Sequence, residues 1–109
     1  VILILHKYLR FLLPKRYSAI TLWPFIVYRS QEKASIKTIN NHERIHLKQQ
    51  LELLILPFYI IYLIEYLINL FYYFKHDKAY RSISFEKEAF SHDQNIEYLK
   101  TRKRYAMWR

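Results

Sequence analysis

The sequence contains no glycine and no cysteine, and only three prolines and one methionine. Each absence removes a chemistry. A Walker phosphate loop, a GxGxxG dinucleotide turn and a GxSxG nucleophile elbow all need glycine's backbone freedom or small size, so none is available here. Without cysteine there is no thiol nucleophile, no thiolate zinc site and no disulfide framework. Acidic residues are scarce as well: nine Asp and Glu stand against eighteen Lys and Arg, a net charge of +9.

What remains is 109 residues, 52% hydrophobic and 18% aromatic, enough for one domain over 1–109 with a real core and too short for two. The charge is unevenly spread. Residues 1–34 carry +5, residues 35–74 are neutral and residues 75–109 carry +4, so two basic flanks enclose an apolar middle. That pattern suits an anionic membrane surface, a nucleic acid or an acidic protein. The chain opens at Val1 rather than at methionine, from which a preceding segment is expected. Val1–Leu5 is too short to read as a signal peptide.

Periodicity predicts four stretches. Ile2, Leu5, Leu9 and Leu12 recur at helical spacing before Pro14, which reads as an amphipathic helix within residues 1–17. Residues 18–30, centred on AITLWPFIVYR, are rich in β-branched and aromatic side chains and read as a strand, at an edge or bulged at Pro24. Residues 38–74 follow as a helix capped by Thr38 or Asn40 and a second, apolar helix, hinged near Pro57. In that second part Ile60, Leu63, Leu67 and Leu70 form an apolar stripe, and Tyr62, Glu65, Tyr66 and Asn69 a more polar one; both helices are expected in the core. Residues 82–108 read as a charged helix with Ser84 as its cap and KTRKRYAMWR as a solvated last turn. The fold class is therefore mainly α with a small β element.

Residues 41–50, NHERIHLKQQ, hold the sharpest chemical signal: His42, Glu43 and His46 spell HExxH on a helix. Histidines four residues apart project from one helix face, so two imidazole nitrogens can reach one zinc ion. Glu43 sits where a carboxylate can take a proton from a metal-activated water and pass it to a leaving amine. A third ligand is available in SFEKEAF, residues 84–90. Glu86 is preferred, because it shares a face with Ala89 and with Asp93, a carboxylate able to orient a ligating histidine. Glu88 is the alternative. Gln49 and Gln50 are expected on the helix surface, with one of them lining the site as the alternative; Glu65 is expected as a partnered carboxylate bonded to a tyrosine or arginine, and Tyr80 or Arg81 as an oxyanion donor. Of His6, His76 and His92, the last is best placed, one turn from Glu88.

HERIH followed by FEKEA resembles the zincin metallopeptidases, specifically the glutamate-zincins, in which HExxH is completed by a glutamate of an ExxA(D) motif. The resemblance implies a minimal zincin-like helical core with an edge strand before the active-site helix. It implies His42, His46 and Glu86 as zinc ligands and Glu43 as catalytic base. Phe90 stands where such families usually carry Asp or Asn. The passage from HLKQQ into an apolar stretch also resembles integral-membrane zinc endopeptidases, and the core resembles small bacterial proteins carrying NHERIHLxQQ.

Two functional classes follow. The first is a Zn2+ metallopeptidase, a hydrolase acting on peptide or protein substrates. The second is a non-catalytic membrane-associated protein whose apolar helix inserts and whose basic flanks touch anionic lipid; nucleic acid is the least favoured partner, since sequence-reading polar side chains are few. The expected location is the cytoplasm or the inner membrane, peripheral or integral. A straight span over Leu53–Phe74, about 33 Å at 1.5 Å per residue, would put His46 and Glu86 on opposite sides of a bilayer. A shared metal therefore requires the chain to fold back.

Overall fold

The computed structural model describes residues 2–5 and 17–109. It is mainly helical, with a small mixed sheet preceding the helices. Strands β1 (Ile2–Ile4), β2 (Ala19–Leu22) and β3 (Phe25–Tyr28) lie in the order β1-β3-β2. β1 runs parallel to β3 with Ile2 beside Ile26, and β2 runs antiparallel to it with Leu22 beside Phe25.

Two expectations are corrected here. Ile2–Ile4 is a strand and not the start of an amphipathic helix: a β-branched apolar run also fits a ladder, and β3 supplies the partner. The rest of that expected helix lies outside the described residues. AITLWPFIVYR is not one strand but a hairpin, with Trp23 and Pro24 at its turn. Pro24 consequently removes no donor from either strand.

A short helix α1 (Gln31–Ala34) leads into α2 (Lys37–Glu52), the HExxH helix. Thr38 and Asn40 lie inside α2 rather than capping it; its N-cap is Ile36, without a side-chain bond. Asn40 instead donates to the carbonyls of Ala34 and Ile36 and accepts from the Tyr28 hydroxyl, tying α2 to the sheet. α2 ends where Leu54 and Ile55 take positive φ of 60° and 72°. Ile55 is the centre of a tight γ-turn, with Leu56 N–H on the Leu54 carbonyl at 2.9 Å. In a chain without glycine, a β-branched residue carries this conformation at a cost of about 1–3 kcal/mol.

The turn sends α3 (Leu56–Tyr73) back across the domain, followed by α4 (His76–Arg81), α5 (Ser84–His92), α6 (Tyr98–Thr101) and a final 3-10 turn, Ala106–Trp108. The helix expected over 82–108 is thus three short pieces. Ser84 is the first residue of α5 and not its cap; Glu65 of α3 takes that role, accepting from Ser84 N–H and Oγ–H at 2.8 Å each. Phe58, Ile83, Phe85 and Met107 form the core where α3, α5 and the C-terminal turn meet.

The expectation that α3 is a core helix is overturned, since Phe58 is its only buried residue. The basic C-terminus is exposed at Lys100, Lys103, Arg104 and Arg109, as expected, but not at the Arg102 side chain. The Arg102 side chain is buried, with Nη2 3.0 Å from Glu88 Oε1, Nη1 2.9 Å from Glu52 Oε2, and a further bond from Nε to Glu88 Oε2. Arg102→Leu leaves two buried carboxylates without their cation and is expected to destabilise the fold by about 3–5 kcal/mol. Urea unfolding beside an exposed control, Arg104→Leu, measures it.

Candidate metal centre

His42 and His46 lie one turn apart on the buried face of α2, and Glu86 meets them from the first turn of α5. Glu86 Oε1 is 3.1 Å from His42 Nε2 and 3.0 Å from His46 Nε2, and the three ligand atoms all fall within 4.8 Å of one another. All three side chains are buried. The alanine at position 89, fully buried, lets the two helices approach.

The far side of each ring decides what the near side offers. His42 Nδ1 lies 3.0 Å from Asp93 Oδ2, and an ionised carboxylate only accepts, so Nδ1 donates. His46 Nδ1 lies 2.8 Å from Gln49 Oε1. The orientation of that amide is fixed, because its Nε2 donates to the Phe85 carbonyl at 3.0 Å and to Glu88 Oε1 at 2.9 Å. With Nδ1 donating, an imidazole that is neutral turns a lone pair from Nε2 toward a carboxylate oxygen that also carries lone pairs.

Three acceptors converging in a buried place repel one another unless a cation lies between them. The protein's own response is to hold a proton there. Burial alone would make His46 less basic, but the Glu86 charge outweighs burial and pushes His46 up to about 9. Burial likewise opposes ionisation of Glu86, and the two imidazoles override it, holding its carboxyl far below the usual range. Two imidazoles and one carboxylate, each ring oriented from behind by an oxygen, are a donor set suited to a divalent cation. The group can hold a metal ion.

Glu88, the alternative third ligand, is committed elsewhere: it accepts from Arg102, from Gln49 and from the Tyr98 hydroxyl at 2.7 Å. Hydrogen bonds, Arg102's first, hold its carboxyl below the ordinary value against the effect of burial. Asp93 stands behind His42, as its spacing from Glu86 suggested. Phe90 packs its ring 4.6 Å from that of His42, so the supporting carboxylate comes three residues later than in the ExxA(D) pattern.

No family model, curated protein or solved structure matches this chain. The chemistry of the site has to be read from its own geometry.

Glu43 lies beside the histidines, buried, and is held against the sheet: the Thr21 hydroxyl is 2.8 Å from its Oε1 and 3.1 Å from its carbonyl. Gln50, expected on the surface, is buried and locks the same strand, donating to the Thr21 carbonyl and accepting from Trp23 N–H. Gln49 is buried too, for the reason given above. Polar side chains on a helix give no local sign of being buried; only the partners across the fold reveal it.

A pocket of about 360 Å3 opens beside the group, walled by strand β2 and by α3. Glu43, His46 and Glu86 lie at its polar end, and Phe58, Tyr59, Tyr62, Tyr66 and Tyr80 line the rest. The Tyr62 hydroxyl donates to Glu86 Oε2 at 2.7 Å. Tyr80 stands beside Glu86; burial first, then that charge, push its phenol up, so it remains a protonated donor. Arg81 is not at the site: it pairs with Asp77 and lies over the Phe90 ring. His92 stacks on Tyr98, whereas His76, with Tyr17 and Tyr66 on its two ring nitrogens, lines the pocket. His6 lies outside the described residues.

Proposed function

We propose that this chain is a small zinc metallopeptidase of the zincin type, in which His42, His46 and Glu86 hold Zn2+ and Glu43 is the catalytic base. The carrying observation is the convergence of two Nε2 atoms on Glu86 Oε1, with a carboxylate next to it that is not part of the group, at the end of an open pocket. A ligand set of two histidines and one glutamate leaves a coordination position open, as hydrolytic zinc sites require.

When bound, zinc would supply Lewis-acid polarisation of water and of the peptide carbonyl. The protein's residues supply the rest. Glu43, oriented by Thr21, accepts a proton at its carboxylate and returns it to the departing amine nitrogen. Tyr80 brings a phenol donor to the pocket, where an oxyanion would develop, while the Tyr62 hydroxyl is engaged with Glu86 Oε2.

β2 supports substrate placement. Arg29 N–H bonds the Ser18 carbonyl at 2.8 Å, so Ser18 and Arg29 form a hydrogen-bonded pair and the next residue, Ala19, points its backbone groups away from β3. Ala19 lines the pocket, and an extended peptide can add to that edge.

Hydrolysis of a mixed peptide library, followed by mass spectrometry, tests the reading. Cleavage that stops with a chelator and returns with zinc is expected; cleavage indifferent to the chelator, or none by the zinc-loaded protein, contradicts it. Metal uptake should also depend on pH. The ion must displace the proton on His46, which leaves on its own only near pH 9. Apparent zinc affinity should accordingly rise about tenfold per pH unit toward pH 9 and level off above it; competition titrations at several pH values read this slope.

A further inference from the structure

The polarity of α3 is turned inside out. Its polar stripe faces the protein: Tyr62 bonds Glu86, Glu65 bonds Ser84, Tyr66 bonds His76 and Asn69 donates to the Ala79 carbonyl. Its apolar stripe faces outward, with Leu63 56%, Ile68 62% and Phe71 75% exposed, and Leu56, Ile60, Ile64 and Leu67 exposed along the same helix. Eighteen residues make this face about 27 Å long. Glu65, the helix's single charged residue, is turned inward, so no charge interrupts it.

A core helix of a water-soluble domain has the opposite arrangement, and an apolar face of this extent marks an interaction site. We propose that the outward face of α3 docks on an anionic lipid surface, lying in the plane of the interface. Charge favours this occupant. Tyr72 and Phe74 project at the C-terminal end of the helix, 76% and 82% exposed, and exposed Lys75 and Lys78 follow directly, the one acid there, Asp77, being paired with Arg81. Aromatic side chains beside cations are what a membrane interface takes up, the rings at headgroup level and the ammonium groups among lipid phosphates. A second copy of the chain would bring another +9 toward the same face.

The docking is one-sided. The inner face of α3 is bonded to α4 and α5 from Tyr62 to Asn69, so hydrocarbon around the whole helix would also have to swallow those charged elements. The helix can lie on a bilayer without crossing it. None of this depends on the metal.

Sedimentation of the 109-residue chain with phosphatidylcholine vesicles, with and without phosphatidylglycerol, tests the proposal. Association is expected with the anionic vesicles, weakened by salt. The Leu63→Glu/Ile68→Glu variant should bind them at least ~tenfold more weakly while keeping its circular dichroism spectrum and metal content. Lys75→Glu/Lys78→Glu should reduce binding to anionic vesicles selectively. No association, or association unchanged in the Leu63→Glu/Ile68→Glu variant, overturns the proposal. So does a lipid-free dimer at sedimentation equilibrium that the same variant dissociates and that ignores vesicles, since the face would then be a contact between copies.

Discussion

Glu86→Gln is expected to weaken zinc binding by at least ~100-fold, a larger loss than the 10–100-fold typical when a residue behind a ligand is removed. The amide keeps an oxygen where Glu86 Oε1 now sits, 3.1 Å and 3.0 Å from the two imidazole nitrogens, but it brings no negative charge to the meeting point. Glu88→Gln, two residues away on the same helix, should behave in the opposite way. It weakens a buried ion pair with Arg102 and lowers stability, yet leaves the ligand group intact. Competition with a chromophoric chelator separates the two. Loss of metal in a folded Glu88→Gln protein, with retention in Glu86→Gln, would reverse the ligand assignment.

Glu43→Gln should leave zinc stoichiometry unchanged and reduce peptide hydrolysis by about 10²–10⁴, the range expected when a general base is removed. The substitution is conservative in shape, and a glutamine oxygen can still accept from the Thr21 hydroxyl at the position where Oε1 now lies 2.8 Å away. Folding and metal binding are therefore preserved while the proton acceptor is lost. Activity retained in this variant would show that the proton moves elsewhere; zinc lost from it would show that Glu43 belongs to the ligand group.

The grouping of His42, His46 and Glu86, which could hold a metal ion, was legible because each residue lies in a short pattern with a geometric meaning. His42 and His46 share a helix face at i, i+4, and Glu86, Ala89 and Asp93 share another at i, i+3, i+7, spacings that survive into the fold. What supports them was not legible, since it comes from pairings far apart in the chain. Gln49 touches His46 locally, but its amide is turned by Phe85 and Glu88, thirty-six and thirty-nine residues on. Arg102 likewise looks like a surface cation until Glu52 and Glu88 are brought to it.

The sheet was half legible. AITLWPFIVYR has strand composition throughout, but its turn falls on Trp23 and Pro24, and the Asn-Gly or Asp-Gly signals that normally mark a two-residue hairpin need the glycine this chain lacks. α3 shows a different limit. Periodicity revealed two stripes and not which of them meets the protein: the tyrosines, Glu65 and Asn69 face inward because Glu86, Ser84, His76 and Ala79 need them there. Helical spacing reports that a helix has two faces, and the hydrogen bonds of its neighbours decide their roles.

The most direct measurement is the metal content of protein purified without chelator or metal-affinity resin, by elemental mass spectrometry, beside the His46→Ala variant. Close to one zinc per chain in the natural protein and almost none in a folded His46→Ala protein is the predicted result. Equal metal in both, or none in the natural protein even after zinc is added back, would contradict a metal centre at His42, His46 and Glu86.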